Sequence, residues 1–436
     1  MRLAALLLVL LAAALPARAQ EPYLPSYSGL YALTNARIET VTRGTIERGT
    51  VVLRNGVIEA VGPDVAVPAD ARVIDCAGLT VYPGMIDGGT RLGLQEVGSV
   101  PETVDTDEIG EVTPQMEALT AVNPNSALIP ITRVAGVTTV IAAPGGGVLP
   151  GTAALVRLNG YTPDQMYAGF RAVVVEFPAT VRRRPDDERG NRERQEAYDE
   201  AIKALDDAWE AATLYARIDS ALAPGADRPY QPEAAALARA VRGEVPLMIE
   251  ANAAQDILKA LEWVAARPRA RAILTGAAEG WRVADRVAAS GVPVVVGPVV
   301  ALPTRASDRY SRPYENVSLL RQAGVRVALR TLEAENVRNL PFHAGFAAAY
   351  GAERGFDRRA ALEAVTIAPA QIFGVADRLG SIEAGKEATL FVADGDPFET
   401  RTQVRHLFIN GYAVPLETRQ TLLYEEFLRR SPGLRQ

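Results

Sequence analysis

Between residues 85 and 377, apolar bursts rich in β-branched residues alternate with helical stretches, and no other feature limits the fold more. The bursts include Val137-Thr138-Thr139-Val140-Ile141, Ala172-Val173-Val174-Val175, Leu247-Met248-Ile249, Ala272-Ile273-Leu274, Val292 to Val296 and Val325 to Leu329. They are largely continuous runs of apolar and β-branched residues rather than strict alternations, which marks strands buried on both faces. Helical patterns at 253–266 and 282–289 lie between them. Strands of this kind alternating with helices predict a parallel sheet covered by helices, hence an α/β barrel or a doubly wound sheet. Residues 181–218 interrupt the alternation as a charged insert, arginine-rich and then helical, expected as a solvated excursion.

Both ends have a different texture. Residues 31–82 carry short alternating segments broken by turn pairs such as Asn55-Gly56 and Gly62-Pro63. Asn-Gly between β-rich runs is a strong hairpin signal. The chain returns to this character at 380–392 and 404–409, followed by Asn410-Gly411. One composite β domain built from both termini, residues 26–83 and 378–415, is the expectation. It flanks a body at 84–377 and is followed by a helical arm at 416–436.

The start reads as a targeting segment. Met1 and Arg2 precede an apolar run from Leu3 to Leu15, then Pro16-Ala17-Arg18-Ala19. A charged start, a short apolar stretch and a small-residue cleavage site make a secretory signal peptide, expected over residues 1–19. The run is shorter than the roughly 20 residues of a spanning helix. Export to a periplasm or to the medium follows, with no membrane attachment once the signal is cut.

Composition then closes off several chemistries. Lys+Arg total 46 against 52 Asp+Glu, a net charge of -6, so the basic footprint of a nucleic-acid binder is missing. Cys76 is the single cysteine, which excludes an intramolecular disulfide and any cysteine-rich zinc module. No Gly-x-Ser-x-Gly elbow occurs. The chain holds only two histidines, His343 and His406, and the lysines are Lys203, Lys259 and Lys386.

Two segments carry a family resemblance. Ile74-Asp75-Cys76-Ala77-Gly78-Leu79-Thr80-Val81-Tyr82-Pro83-Gly84-Met85-Ile86-Asp87 resembles the entry into the first barrel strand of the amidohydrolase superfamily. Leu379-Gly380-Ser381-Ile382-Glu383-Ala384-Gly385-Lys386-Glu387-Ala388-Thr389-Leu390 resembles that superfamily's return into its β domain. Gly136-Val137-Thr138-Thr139-Val140 and Ala364-Val365-Thr366-Ile367-Ala368-Pro369-Ala370 fit the same pattern, on the imidazolonepropionase-like branch. The resemblance implies a TIM-type (β/α)8 barrel with a small composite β-sandwich domain. It implies hydrolysis of C–N bonds, often in cyclic amides, at zinc or another divalent metal.

Carried over position by position, the resemblance leaves the metal site vacant. The His-x-His of strand one falls on Gly89 and Arg91, and the strand-five histidine on Glu250 or Asn252. The strand-six His-Gly pair falls on Thr275-Gly276, and the strand-eight Gly-Thr-Asp on Arg330-Thr331-Leu332. Glu176 is the nearest carboxylate for strand four. No metal site and no cofactor are therefore predicted. Arg91 and Arg330 are expected to occupy the metals' place, paired with Glu250 and Glu279, which are also the weak catalytic candidates. Asn252 and the glycines Gly145, Gly146 and Gly147, whose N–H groups could form an anion nest, complete the candidate ligand site. The acidic stretch from Glu102 to Glu111 reads as a solvated loop.

Three functions stay open: a degenerate member that binds a small ligand, a C–N hydrolase with a non-canonical site, and a non-catalytic partner of an active amidohydrolase subunit. A homo-oligomer is compatible with each.

Overall fold

The computed structural model describes residues 27–180, 188–223, 227 and 230–430. The expected signal peptide lies outside the described residues, as do the start of the charged insert and the last residues of the arm.

Eight strands form the barrel sheet. In spatial order they are Met85–Thr90, Val137–Ala142, Gly151–Arg157, Tyr167–Glu176, Leu247–Ala251, Ala272–Gly276, Val294–Val296 and Val327–Leu329. They are called the first to eighth barrel strands below. The sheet nearly closes: Thr90 bridges Leu332 in parallel, and the Leu332 N–H donates to the Gly89 carbonyl at 3.0 Å. The sides that face inward fill the barrel with Ile86, Ile141, Leu155, Val174, Met248, Ile273, Val295 and Ala328. The lumen is thus packed apolar matter, as in TIM barrels generally.

The alternation predicts parallel strands throughout, and one strand departs from that. The third runs antiparallel to both neighbours, pairing Ile141 with Leu155 and Thr152 with Val173. The cause is connection length. Residues 143–150 and 158–166 are too few for a helical crossover, which takes about a dozen residues or more, so the chain turns straight back. The other strand pairs are parallel.

The two termini meet in a separate nine-stranded sheet. Leu390–Ala393 pairs antiparallel with Thr80–Pro83, and Tyr31–Glu39 continues on the far side. Both Asn-Gly pairs make tight hairpins with positive φ: Asn55 and Gly56 at 51° and 83°, Asn410 and Gly411 at 50° and 78°. Leu33, Ile38, Val51, Leu53, Ile58, Val81, Leu390 and Phe408 form this domain's own core, with Cys76 buried among them. Burial pushes the Cys76 thiol up to about 11, which leaves it an inert small hydrophobe.

The charged insert is a 34-residue helix, Glu188–Ala221, and it is less solvated than its composition suggests. Leu205, Ala212, Tyr215 and Ala216 are buried. Their spacing is the apolar stripe of a helix with one covered face. Asp206 accepts hydrogen bonds from Trp263 Nε1 at 2.8 Å and from Arg267 Nη2 at 2.6 Å, tying the insert to the helix after strand five. The C-terminal helix Arg419–Arg429 starts with a reciprocal Thr418–Thr421 cap and has no buried residue. Among the described residues no helix is long and apolar enough to cross a membrane.

Candidate functional site

The C-terminal ends of the barrel strands gather Asp87, Arg91, Glu176, Glu250, Thr275, Arg330 and Thr331 above the packed lumen. Strand ends are where barrel chemistry is placed, because the strands are rigid and their following loops are free to vary.

Arg330, at the end of strand eight, is 6% exposed. Its Nη2 donates to Glu250 Oε1 at 2.7 Å and its Nε to the Gly297 carbonyl at 3.2 Å. Glu250 Oε1 also accepts from Asn252 Nδ2 at 2.8 Å, and Oε2 from the Thr275 hydroxyl at 2.8 Å. Burial would raise the Glu250 pKa, but the Arg330 guanidinium and these hydrogen bonds outweigh it and hold the carboxyl below its ordinary range. Gly276 makes room for the cluster. A Cβ there would lie 2.5 Å from Asn252 Oδ1 and 2.6 Å from Glu250 Oε1, and its φ of +82° suits only glycine.

Beside this cluster Asp87 is fully buried. It accepts from the Gly89 N–H at 3.0 Å, the Thr331 N–H at 3.2 Å and the Thr331 hydroxyl at 2.6 Å. Burial nevertheless pushes its carboxyl up to about 6. It staples strand one to strand eight where the barrel closes. The next residue, Leu332, sits at φ +73°, a conformation costly for a branched side chain, and its backbone bonds complete the closure.

Across the mouth Glu176, the carboxylate expected nearest strand four, ends that strand. Its Oε1 accepts the Gly146 N–H at 3.1 Å. The Gly145 N–H donates to the Thr106 carbonyl at 2.8 Å. Of the loop's amides, Gly146 is thus spent on the protein's own Glu176 and Gly145 on a backbone carbonyl. Burial is the main reason the Glu176 carboxyl lies above its ordinary range, and the nearby Glu250 charge adds to it.

Arg91 is half-buried beside Glu176 and attracts it through space. A Cβ placed on Gly145 would lie 3.2 Å from Glu176 Oε1 and 3.4 Å from an Arg91 Nη. Yet among the described residues the Arg91 guanidinium makes no hydrogen bond and no ion pair. The two arginines thus differ: Arg330 is consumed by Glu250, whereas Arg91 is free.

Glu279, expected beside Arg91 or Arg330, belongs to a different cluster. It is fully buried and bound bidentately by Arg305 at 2.6 and 2.7 Å, with the Thr304 hydroxyl at 2.8 Å and the Ala254 N–H at 3.0 Å. Although burial opposes ionisation, these partners hold its carboxyl at about 2. Its role is to lock the loops after strands five, six and seven. Arg305 lies in a loop with no sequence pattern to announce the pair.

The donor set does not fit the family's divalent metals. Transition-metal sites want imidazole, thiolate or an uncommitted carboxylate cluster. His343 is buried and accepts the Val299 N–H at 3.3 Å on Nδ1, and burial pushes it down to about 4. His406 lies in the β domain opposite Val392. Among the described residues no group of three or more His, Cys, Asp and Glu could hold a metal ion. A buried guanidinium stands instead beside Glu250.

Residues 80–414 match the profile described as the amidohydrolase family. An imidazolonepropionase from Geobacillus kaustophilus is 48% identical over 56 residues, which span 11% of this chain and only 13% of that protein. An amidohydrolase from Thermotoga maritima superimposes with a TM-score of 0.78 at 25% identity, covering 88% of this chain and 99% of that one. Molinate hydrolase shares the fold, with a TM-score of 0.55 at 18% identity over 89% of this chain and 95% of its own. With its barrel, its two-ended β domain and the profile match over most of its length, the chain belongs to the amidohydrolase family.

Proposed function

We propose that this protein is an exported, degenerate amidohydrolase whose barrel mouth binds a small carboxylate-bearing molecule through Arg91. One observation carries the reading: a half-buried guanidinium at a strand end, with no hydrogen bond from the described residues, next to a glycine loop. Guanidinium takes carboxylate bidentately, and the planar fork adds geometric selectivity to charge attraction. Asn252 is exposed at the rim and Glu250 a quarter exposed, so solvent and small solutes reach the polar layer. Export rests on the leader sequence at residues 1–19. Calorimetric titration with a panel of small carboxylates tests the binding. Saturable binding in the wild type, lost in Arg91→Ala, supports it; equal binding by both proteins contradicts it.

A second reading, metal-free hydrolysis of a C–N bond, is favoured by the elevated Glu176 carboxyl. Glu176 would take a proton from water as hydroxide adds to the acyl carbon, Arg91 would hold the developing oxyanion, and Glu176 would return the proton to the leaving nitrogen. Turnover of acyl-amino acids or cyclic dipeptides that disappears in Glu176→Gln would establish it. A partner subunit remains compatible with either reading, and co-purification with a second amidohydrolase chain is its test.

A further inference from the structure

The free guanidinium has a companion. Glu176 Oε1 is used by Gly146, but Oε2 has no hydrogen-bond partner among the described residues. Both Oε1 and an Arg91 Nη lie within 3.5 Å of one point above Gly145, the place a Cβ would take, and still the two side chains do not join in an ion pair. A cation and an anion, each with unspent hydrogen-bonding capacity, thus border the same point above Gly145. Opposite charges left apart in a partly desolvated site invite a ligand that satisfies both.

Three other features of the surroundings narrow that ligand. Below the polar layer the lumen is filled by apolar side chains, so the layer is a floor and the ligand is small. Glu250 lies close enough to repel Glu176 and is already neutralised by Arg330, so among the described residues at these strand ends the uncommitted cation is Arg91. Gly145 has no side chain to fill the gap between the charges.

We infer that the Arg91–Gly145–Glu176 cleft is a receptor for a zwitterion of the α-amino acid type. The ligand's carboxylate lies on Arg91 and its ammonium on Glu176. The short span between carboxylate and ammonium in an α-amino acid matches two protein groups that approach one another without touching. The inference rests on the carboxylate reading above and adds the ammonium subsite.

Matched pairs of probes separate the two claims. Alanine is compared with propionate, and phenylalanine with 3-phenylpropionate, by calorimetry on the wild-type protein and on Glu176→Gln. Gln keeps the carbonyl oxygen that accepts from Gly146 and removes only the charge. The expected result is that each amino acid binds about ten- to a hundredfold more tightly than its desamino twin to the wild type, as a charge-assisted hydrogen bond contributes. In Glu176→Gln that preference collapses while binding of the twins is unchanged. Equal binding of twins by the wild type overturns the ammonium subsite and leaves the carboxylate reading standing, as does a preference that survives in Glu176→Gln. Absence of binding by every probe overturns both.

Discussion

Arg330 and Glu250 join the eighth barrel strand to the fifth through a 2.7 Å charged hydrogen bond across the mouth. The strands are not neighbours in the sheet, so the pair reaches across the barrel mouth. Its partners on each side are backbone and uncharged side chains: the Gly297 carbonyl for Arg330, Thr275 and Asn252 for Glu250. Such a pair is costly to break from one side, because the remaining charge stays buried.

Glu250→Gln should therefore destabilise the protein by about 3 kcal/mol, the lower end for stranding one partner, since Glu250 is a quarter exposed. Urea denaturation measures this. A loss below about 0.5 kcal/mol would mean that Arg330 finds another acceptor.

Arg91→Ala should behave oppositely. With no side-chain hydrogen bond among the described residues to lose, stability should stay within about 0.5 kcal/mol of wild type while carboxylate binding disappears. Thermal unfolding of the free protein and calorimetry on the same samples check both halves.

The glycine loop separates fold from ligand. Gly147 has φ +74°, and a Cβ there would lie 2.9 Å from the Glu111 backbone. Gly147→Ala should cost about 1–3 kcal/mol of stability from the strained backbone. A methyl at Gly145 meets only Glu176 and Arg91 side chains. Gly145→Ala should fold normally and weaken ligand binding at least tenfold, read by calorimetry.

Asp87 gives a pH signature. Its carboxyl rises from 3.8 to about 6 on folding, so the fold favours the protonated form. Its stabilising contribution is complete below about pH 4 and is lost as pH rises through 6, a difference of about 3 kcal/mol at 1.36 kcal/mol per unit. The stability of wild type relative to Asp87→Asn should fall by about that amount between pH 4 and 7 and then stay level. A pH-independent difference would show that Asp87 is ionised throughout.

The architecture was legible because it is written in periodicity. Continuous apolar bursts marked six of the eight barrel strands, and the Asn-Gly pairs at 55–56 and 410–411 marked the hairpins of the composite sheet. The third strand, Gly151–Arg157, was not among the bursts, and its antiparallel direction shows only in the shortness of its connections. At the site, the placement of Arg91, Arg330 and Glu250 at strand ends follows from where the strands stop. Their pairing does not: that Glu250 takes Arg330, that Glu279 takes Arg305 and that Arg91 is left free depends on loops folding over the mouth. Glu176 was visible as a carboxylate after Val173-Val174-Val175, but its bond to Gly146 needs the third dimension.

The central claim is that an arginine–carboxylate network stands in place of the metal centre. Metal content is its most direct test, measured by elemental analysis on protein purified without chelators and then equilibrated with zinc, manganese or cobalt. The account predicts far less than one metal ion per chain, unchanged in Glu176→Gln and Glu250→Gln. One or two ions per chain, lost in either variant, would contradict it.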